Sequence, residues 1–174
     1  MIKIFKTKLL INFVLLISIS FTSMYSLSAD NFTIYLTRHA EKSSEMKNPT
    51  LTECGTARAK LLAKMLSKAK IQAIYSTSYQ RTLQTAKPLA NLHKMPIKNY
   101  NPKHLEQLAM HLKRNKTNTL VVGHSNTTPQ LASLLSKQQV PPLTEQDYQY
   151  LYQIQFIGNE SMLTVFQQPL ECKH

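Results

Sequence analysis

The sequence predicts an α/β fold: a three-layer αβα sandwich whose central sheet is mostly parallel, with a C-terminal β-hairpin. Two features carry the prediction. Short β-branched segments alternate with amphipathic segments of helical length, and two apolar runs flanking Gly158-Asn159 close the chain. A chain of 174 residues with 43% hydrophobic content has enough apolar surface for one cored domain. Three glycines without a period exclude collagen-like and glycine-linker architectures, and the apolar fraction excludes disorder. The net charge of +12 comes from scarce acids, 9 Asp+Glu against 21 Lys+Arg; charged residues total 17%, below the ~25% of soluble domains.

Residues 1–29 read as a secretory signal, which leaves residues 30–174 as the domain. Lys3, Lys6 and Lys8 precede an apolar run over residues 9–21, and small residues end at Ala29. That run is shorter than the ~20 residues of a membrane span, so cleavage and a periplasmic or secreted location are expected, with no stable span afterwards. In that setting Cys54 and Cys172 are a candidate disulfide pair.

Along the domain, residues 32–37 (FTIYLT) read as a buried strand that delivers Arg38-His39 at its end. Thr52 caps a helix to about residue 68, with Leu61, Leu62, Met65 and Leu66 as its apolar stripe. Residues 73–75 form a second strand, and Ser76-Thr77-Ser78 supplies caps for a helix to about residue 91. Residues 95–100 make a third strand, and Pro102 opens a helix to about residue 114. The run TLVVG at 119–123 is the clearest strand; a helix over 128–135, a polar loop and a hairpin from residues 150–157 and 163–166 follow.

In open α/β sheets ligands bind beyond the carboxyl ends of the strands. Arg38-His39, the segment from Ser76 to Arg81, and His124-Ser125-Asn126 all fall there. Two arginines and two histidines converging on one sheet edge, with few acids near, suit a dianion, because guanidinium forks bind phosphate oxygens and helix N-termini add N–H donors. No G-x-x-x-x-G-K-[ST] loop, H-E-x-x-H pair or second half of a zinc-deaminase signature is present, and Asp30 and Asp147 are too few for a two-metal site. The expected chemistry therefore uses no metal and no cofactor: a neutral His39 accepts the phosphoryl group.

These residues resemble a known family. Leu36-Thr37-Arg38-His39-Ala40-Glu41-Lys42, Leu51-Thr52 with Gly55 and Arg58-Ala59, Tyr75-Ser76-Thr77-Ser78 with Arg81-Thr82 and Gln84-Thr85-Ala86, and Val121-Val122-Gly123-His124-Ser125-Asn126 together are similar to the histidine phosphatase (phosphoglycerate mutase-like) superfamily. The resemblance implies that His39 is phosphorylated, that Arg38 and Arg81 clamp phosphate, and that His124 stabilises the transferring group. Ala40 stands where the family more often has Gly. Glu41 and Lys42 read as a surface ion pair at the rim.

The resemblance implies a metal-independent phosphatase acting on a phosphomonoester or phosphoramidate, with a small phosphorylated molecule or a phosphorylated envelope component as partner. The general acid stays open between Glu106, near where larger family members place theirs, and Glu145 or Asp147 in the late loop. Two other readings are a non-catalytic phosphate or anion binder of the envelope and a serine hydrolase using Ser125, whose Gly123-His124-Ser125 imitates a nucleophile elbow but has Thr127 where its last glycine belongs. Lys and Arg are scattered, so no nucleic-acid partner is expected. Loops 43–49 and 138–149 are expected to border the pocket, His104 and His111 lack a third ligand, and Tyr148, Tyr150 and Tyr152 read as strand packing.

Overall fold

Side chains of a strand alternate between faces, so a sheet buried on both sides needs apolar residues at nearly every position. Val121 faces one core while Leu120 and Val122 face the other, and Ile74 is separated in the same way from Ala73 and Tyr75. The computed structural model describes residues 31–45 and 47–170. The signal segment expected at 1–29 and the cysteine at 172 lie outside the described residues, and Cys54 is not a free thiol.

The element order is β1 (Asn31–Arg38), α1 (Glu53–Met65), β2 (Ala73–Ser76), α2 (Gln80–His93), β3 (Ile97–Asn99), α3 (Leu105–Asn115), β4 (Thr119–Gly123), α4 (Thr127–Ser136), β5 (Tyr150–Ile157) and β6 (Glu160–Gln167). The strands form one sheet in the order β3-β2-β4-β1-β5-β6. The first four are parallel, while β5 and β6 join antiparallel beside β1. Helices α3 and α4 cover one face through Leu108, Leu112, Leu131 and Leu135; α1 and α2 cover the other through Leu62, Leu66 and Leu89. This is the predicted αβα sandwich with its C-terminal hairpin.

Thr52 caps α1 as predicted, its hydroxyl accepting from the Gly55 N–H at 3.0 Å. A side chain at position 55 would collide with the Glu41 backbone, so glycine is what lets this helix start lie against the loop after β1. Gly158 has φ +60° at the first of two turn residues between β5 and β6, where tight hairpin turns favour glycine.

Two helix starts differ from expectation. Helix α2 begins after Tyr79 without a side-chain cap, because Ser76 and Thr77 are buried and their hydroxyls are used elsewhere. Helix α3 begins at Leu105, not at Pro102, because Asn101 holds residues 101–104 in a separate turn: its Oδ1 accepts from the Lys103 N–H and its carbonyl from the His104 N–H. Among the described residues no helix is long and apolar enough to cross a membrane.

Candidate active site

Parallel pairing sets Arg38 opposite Gly123, so the ends of β1 and β4 open at one level. The His39 N–H donates to the Gly123 carbonyl at 2.9 Å, which continues the ladder one residue past β1. Strand β2, on the other side of β4, delivers Thr77, and the first turn of α2 supplies Arg81. Arg38, His39, Arg81 and His124 thus line one cavity of about 380 Å³, joined by Ser125 and Glu145. The structure brings together all four residues predicted for the site.

His39 is 3% exposed. Its Nδ1 lies 2.8 Å from the Ala40 carbonyl, which can only accept, so Nδ1 carries the proton and Nε2 keeps the lone pair. Burial pushes its pKa down to about 3; the bond to Ala40 works against the shift, while Arg38, Arg81 and His124 add to it. The ring is therefore neutral at pH 7. The turn behind it is pinned by the Ala40 N–H donating to Thr85 Oγ1 at 2.9 Å, and that hydroxyl donates to the Arg81 carbonyl at 2.7 Å. His124 meets His39 edge-on, with ring centroids 5.6 Å apart. Burial, then Arg81 and Arg38, lower its pKa to about 4.

Each arginine is oriented by an aromatic ring: the Arg38 guanidinium lies 4.1 Å from the Tyr148 ring centre, and that of Arg81 lies 4.5 Å from the Tyr79 ring centre. Arg38 Nη1 donates to the carbonyls of Thr144 at 2.8 Å, Glu145 at 3.1 Å and Asp147 at 3.4 Å. Its Nη2 meets Glu145 Oε2 at 3.1 Å. The Nε atoms of both Arg38 and Arg81 are buried without an acceptor among the described residues. These two donors, beside a neutral imidazole, suit an incoming oxyanion.

The open candidates separate by geometry. Glu145 lines the cavity and also accepts from Ser125 Oγ at 3.3 Å. Glu106 is exposed in the first turn of α3 and faces a neighbouring cleft instead. The Asp147 carboxylate accepts from the Thr144 N–H and hydroxyl, both at 2.7 Å, and those bonds hold it below the ordinary carboxyl range. Among the described residues Ser125 has no imidazole partner of the kind a serine nucleophile needs: His124 directs its nitrogens at Thr77 and Arg81. Among the described residues, no cluster of three or more His, Cys, Asp or Glu could hold a metal. His111 Nε2 is instead in contact with the Tyr75 hydroxyl and Asn115.

Several sequence expectations need correction. Glu41 is buried and pairs with Arg58, its two carboxylate oxygens 2.9 Å from Arg58 Nε, while Arg58 Nη2 also donates to the Leu170 carbonyl. The expected rim pair of Glu41 with Lys42 does not form, and Lys42 lines the cavity from its exposed edge. Tyr148 precedes β5 and stacks on Arg38, so it belongs to the site and not to strand packing. Loop 138–149 borders the cavity through Glu145, whereas no described residue of 43–49 lines it. Tyr79 and Lys103 also line it, and no motif pointed to either.

Fold and cavity together define an α/β domain with a pocket lined by two arginines and two histidines at the carboxyl edge of its parallel strands. Residues 34–101 match the model of the histidine phosphatase superfamily (branch 1), a stretch that holds most of β1 and all of α1, β2, α2 and β3, with Arg38, His39 and Arg81. Similar solved structures include the protein histidine phosphatase SixA complexed with tungstate, at 14% identity and TM-score 0.64 over 78% of this chain and 97% of that one. A mycobacterial glucosyl-3-phosphoglycerate phosphatase is 13% identical, with TM-score 0.62 over 79% of this chain and 99% of that one. Phosphoserine phosphatase from Entamoeba histolytica, in complex with 3-phosphoglyceric acid, is 17% identical with TM-score 0.60, over 78% and 96%. At these identities the likeness is one of fold. No curated protein matches the chain in sequence.

Proposed function

We propose that this chain is a metal-independent phosphatase that hydrolyses a phosphomonoester or phosphoramidate through a phosphohistidine on His39. The observation that carries the reading is the bond from His39 Nδ1–H to the Ala40 carbonyl, which keeps Nε2 unprotonated in a ring flanked by Arg38 and Arg81. Nε2 attacks phosphorus, the P–O or P–N bond to the leaving group breaks, and the departing atom takes a proton. Water then attacks the phosphorus of phosphohistidine, the P–N bond to the ring breaks, and phosphate leaves with the ring restored. Arg38 Nε and Arg81 Nε are the groups that meet the phosphoryl oxygens as charge develops on them, with His124 lining the cavity beside them. Glu145 is the carboxyl we assign to the leaving group, because of the three candidates it alone faces the cavity.

The partner in this reading is a small phosphorylated molecule or a phosphorylated envelope component, and the protein acts in the periplasm or outside the cell. The basic, apolar and small-residue order of residues 1–29 supports export. The assay is release of p-nitrophenol from p-nitrophenyl phosphate in the presence of a chelator. Turnover that resists the chelator and falls about 10³-fold or more in His39→Ala is the expected result. Phosphate binding by folded protein with no turnover would favour the non-catalytic anion binder instead.

A further inference from the structure

Behind His124 lies a line of hydroxyls. His124 Nε2 is 3.0 Å from Thr77 Oγ1, which is 2.8 Å from Thr82 Oγ1, which in turn lies 2.8 Å from the Tyr79 carbonyl and 3.1 Å from the Thr77 carbonyl. Thr77 and Thr82 are fully buried. Carbonyls only accept, so the Thr82 hydroxyl donates to a carbonyl, the Thr77 hydroxyl donates to Thr82, and the oxygen of Thr77 is left to accept from His124 Nε2–H. The other side of the ring agrees. Arg81 Nη2, always a donor, lies 3.4 Å from Nδ1, which must then hold the lone pair. Reversing the line would set N–H against N–H at Arg81 and leave both carbonyls of the Thr82 pair facing an oxygen without a proton.

We propose that Thr77 is a positioning residue for phosphoryl transfer: with Thr82 it fixes His124 as the Nε2–H tautomer, so that Nδ1 keeps its lone pair on the side of Arg81. The proposal rests on the phosphatase reading for its purpose, but the tautomer itself does not. In the unliganded protein that lone pair takes the Arg81 N–H; when a phosphate monoanion draws the guanidinium onto its charged oxygens, the freed Nδ1 accepts the P–O–H proton of the remaining one. Two arginines cannot make that distinction, since both only donate. The bond at one ring nitrogen decides the state of the other, as in other histidines held from behind. The charged and titratable groups facing His124 are Arg81, Arg38, His39 and Tyr79.

Long-range ¹⁵N–¹H correlation spectra of His124 in the unliganded protein at pH 7 test this directly. Wild type should show the Nε2–H tautomer; Thr77→Val, which keeps the shape and removes the acceptor, should shift the ring toward Nδ1–H; Thr77→Ser should restore the wild-type pattern. On p-nitrophenyl phosphate, kcat of Thr77→Val should fall about 10-fold, the worth of one buried hydrogen bond, and recover in Thr77→Ser. If Thr77→Val does not fold, Thr82→Val, which removes the next link, is read by the same spectra. A wild-type ring protonated on Nδ1, or a tautomer unchanged in the folded valine variants, overturns the proposal. The expected tautomer in a wild-type protein without turnover upholds the relay and overturns the phosphatase reading instead.

Discussion

The segment from β1 to β3 and the segment after α4 contribute to the cavity in different ways. The first supplies Arg38, His39 and Arg81 as side chains on short stretches of recognisable pattern, and it is the stretch that matches the superfamily model. The second supplies backbone carbonyls at 144, 145 and 147, the Glu145 carboxylate and the Tyr148 ring, all gathered on Arg38. One region thus brings the side chains we propose to meet a phosphoryl unit, and the other decides how one of them is held. The difference teaches that a cavity-lining arginine is only as well placed as the acceptors around it, and these come from a piece of chain without a motif.

The sharpest way to break the comparison is the contact that joins the two regions. Arg58 ties Glu41, in the turn after His39, to the Leu170 carbonyl after β6. Arg58→Met leaves a buried carboxylate uncompensated, and we expect a loss of about 3–5 kcal/mol in denaturant unfolding, with part of it recovered in the Glu41→Gln double variant. Next in size is the direct contrast between regions. Arg81→Ala, in the patterned region, should cost about 10²–10³ in kcat whatever the leaving group. Glu145→Gln should instead lose about 10²-fold on an alkyl phosphate and much less on p-nitrophenyl phosphate, whose leaving group needs no proton. Equal losses for both substrates would deny Glu145 the role of acid.

The pH dependence isolates the patterned region alone. His39 has a folded pKa of about 3 against an ordinary 6.5, so between these values the unfolded chain binds the extra proton. Its contribution to stability is complete above about 6.5 and is lost as pH falls toward 3. Comparing unfolding midpoints of wild type and His39→Gln across that range should show a shallower decline in the variant. A parallel pair of curves would mean that burial does not depress the ring's pKa.

Much of the fold was legible because its signals are local. The strand TLVVG is apolar at both faces, Thr52 precedes an amphipathic stretch, and Gly158 sits between two apolar runs. Arg38, His39, Arg81 and His124 were legible together because each follows a strand end closely in sequence. Three features were hidden for physical reasons. Carbonyl acceptors carry no sequence signature, so the contacts of Arg38 with residues more than a hundred positions away had no local trace. Glu41 next to Lys42 looks like a surface pair until α1 packs against the loop and offers Arg58. The serine and threonine residues before α2 look like caps, yet burial gives Thr77 to His124 instead. A buried basic residue three positions after Gly55 on the covered face of α1 was the one available clue to the Glu41 partner.

The placement of β5 has a consequence for folding. Until β5 pairs, β1 is the outermost strand of the parallel set, with unpaired backbone groups along one side and Arg38 lacking the loop that grips it. Docking of the hairpin covers that border and fixes the Arg38 guanidinium in the same event, so the free edge passes to β6.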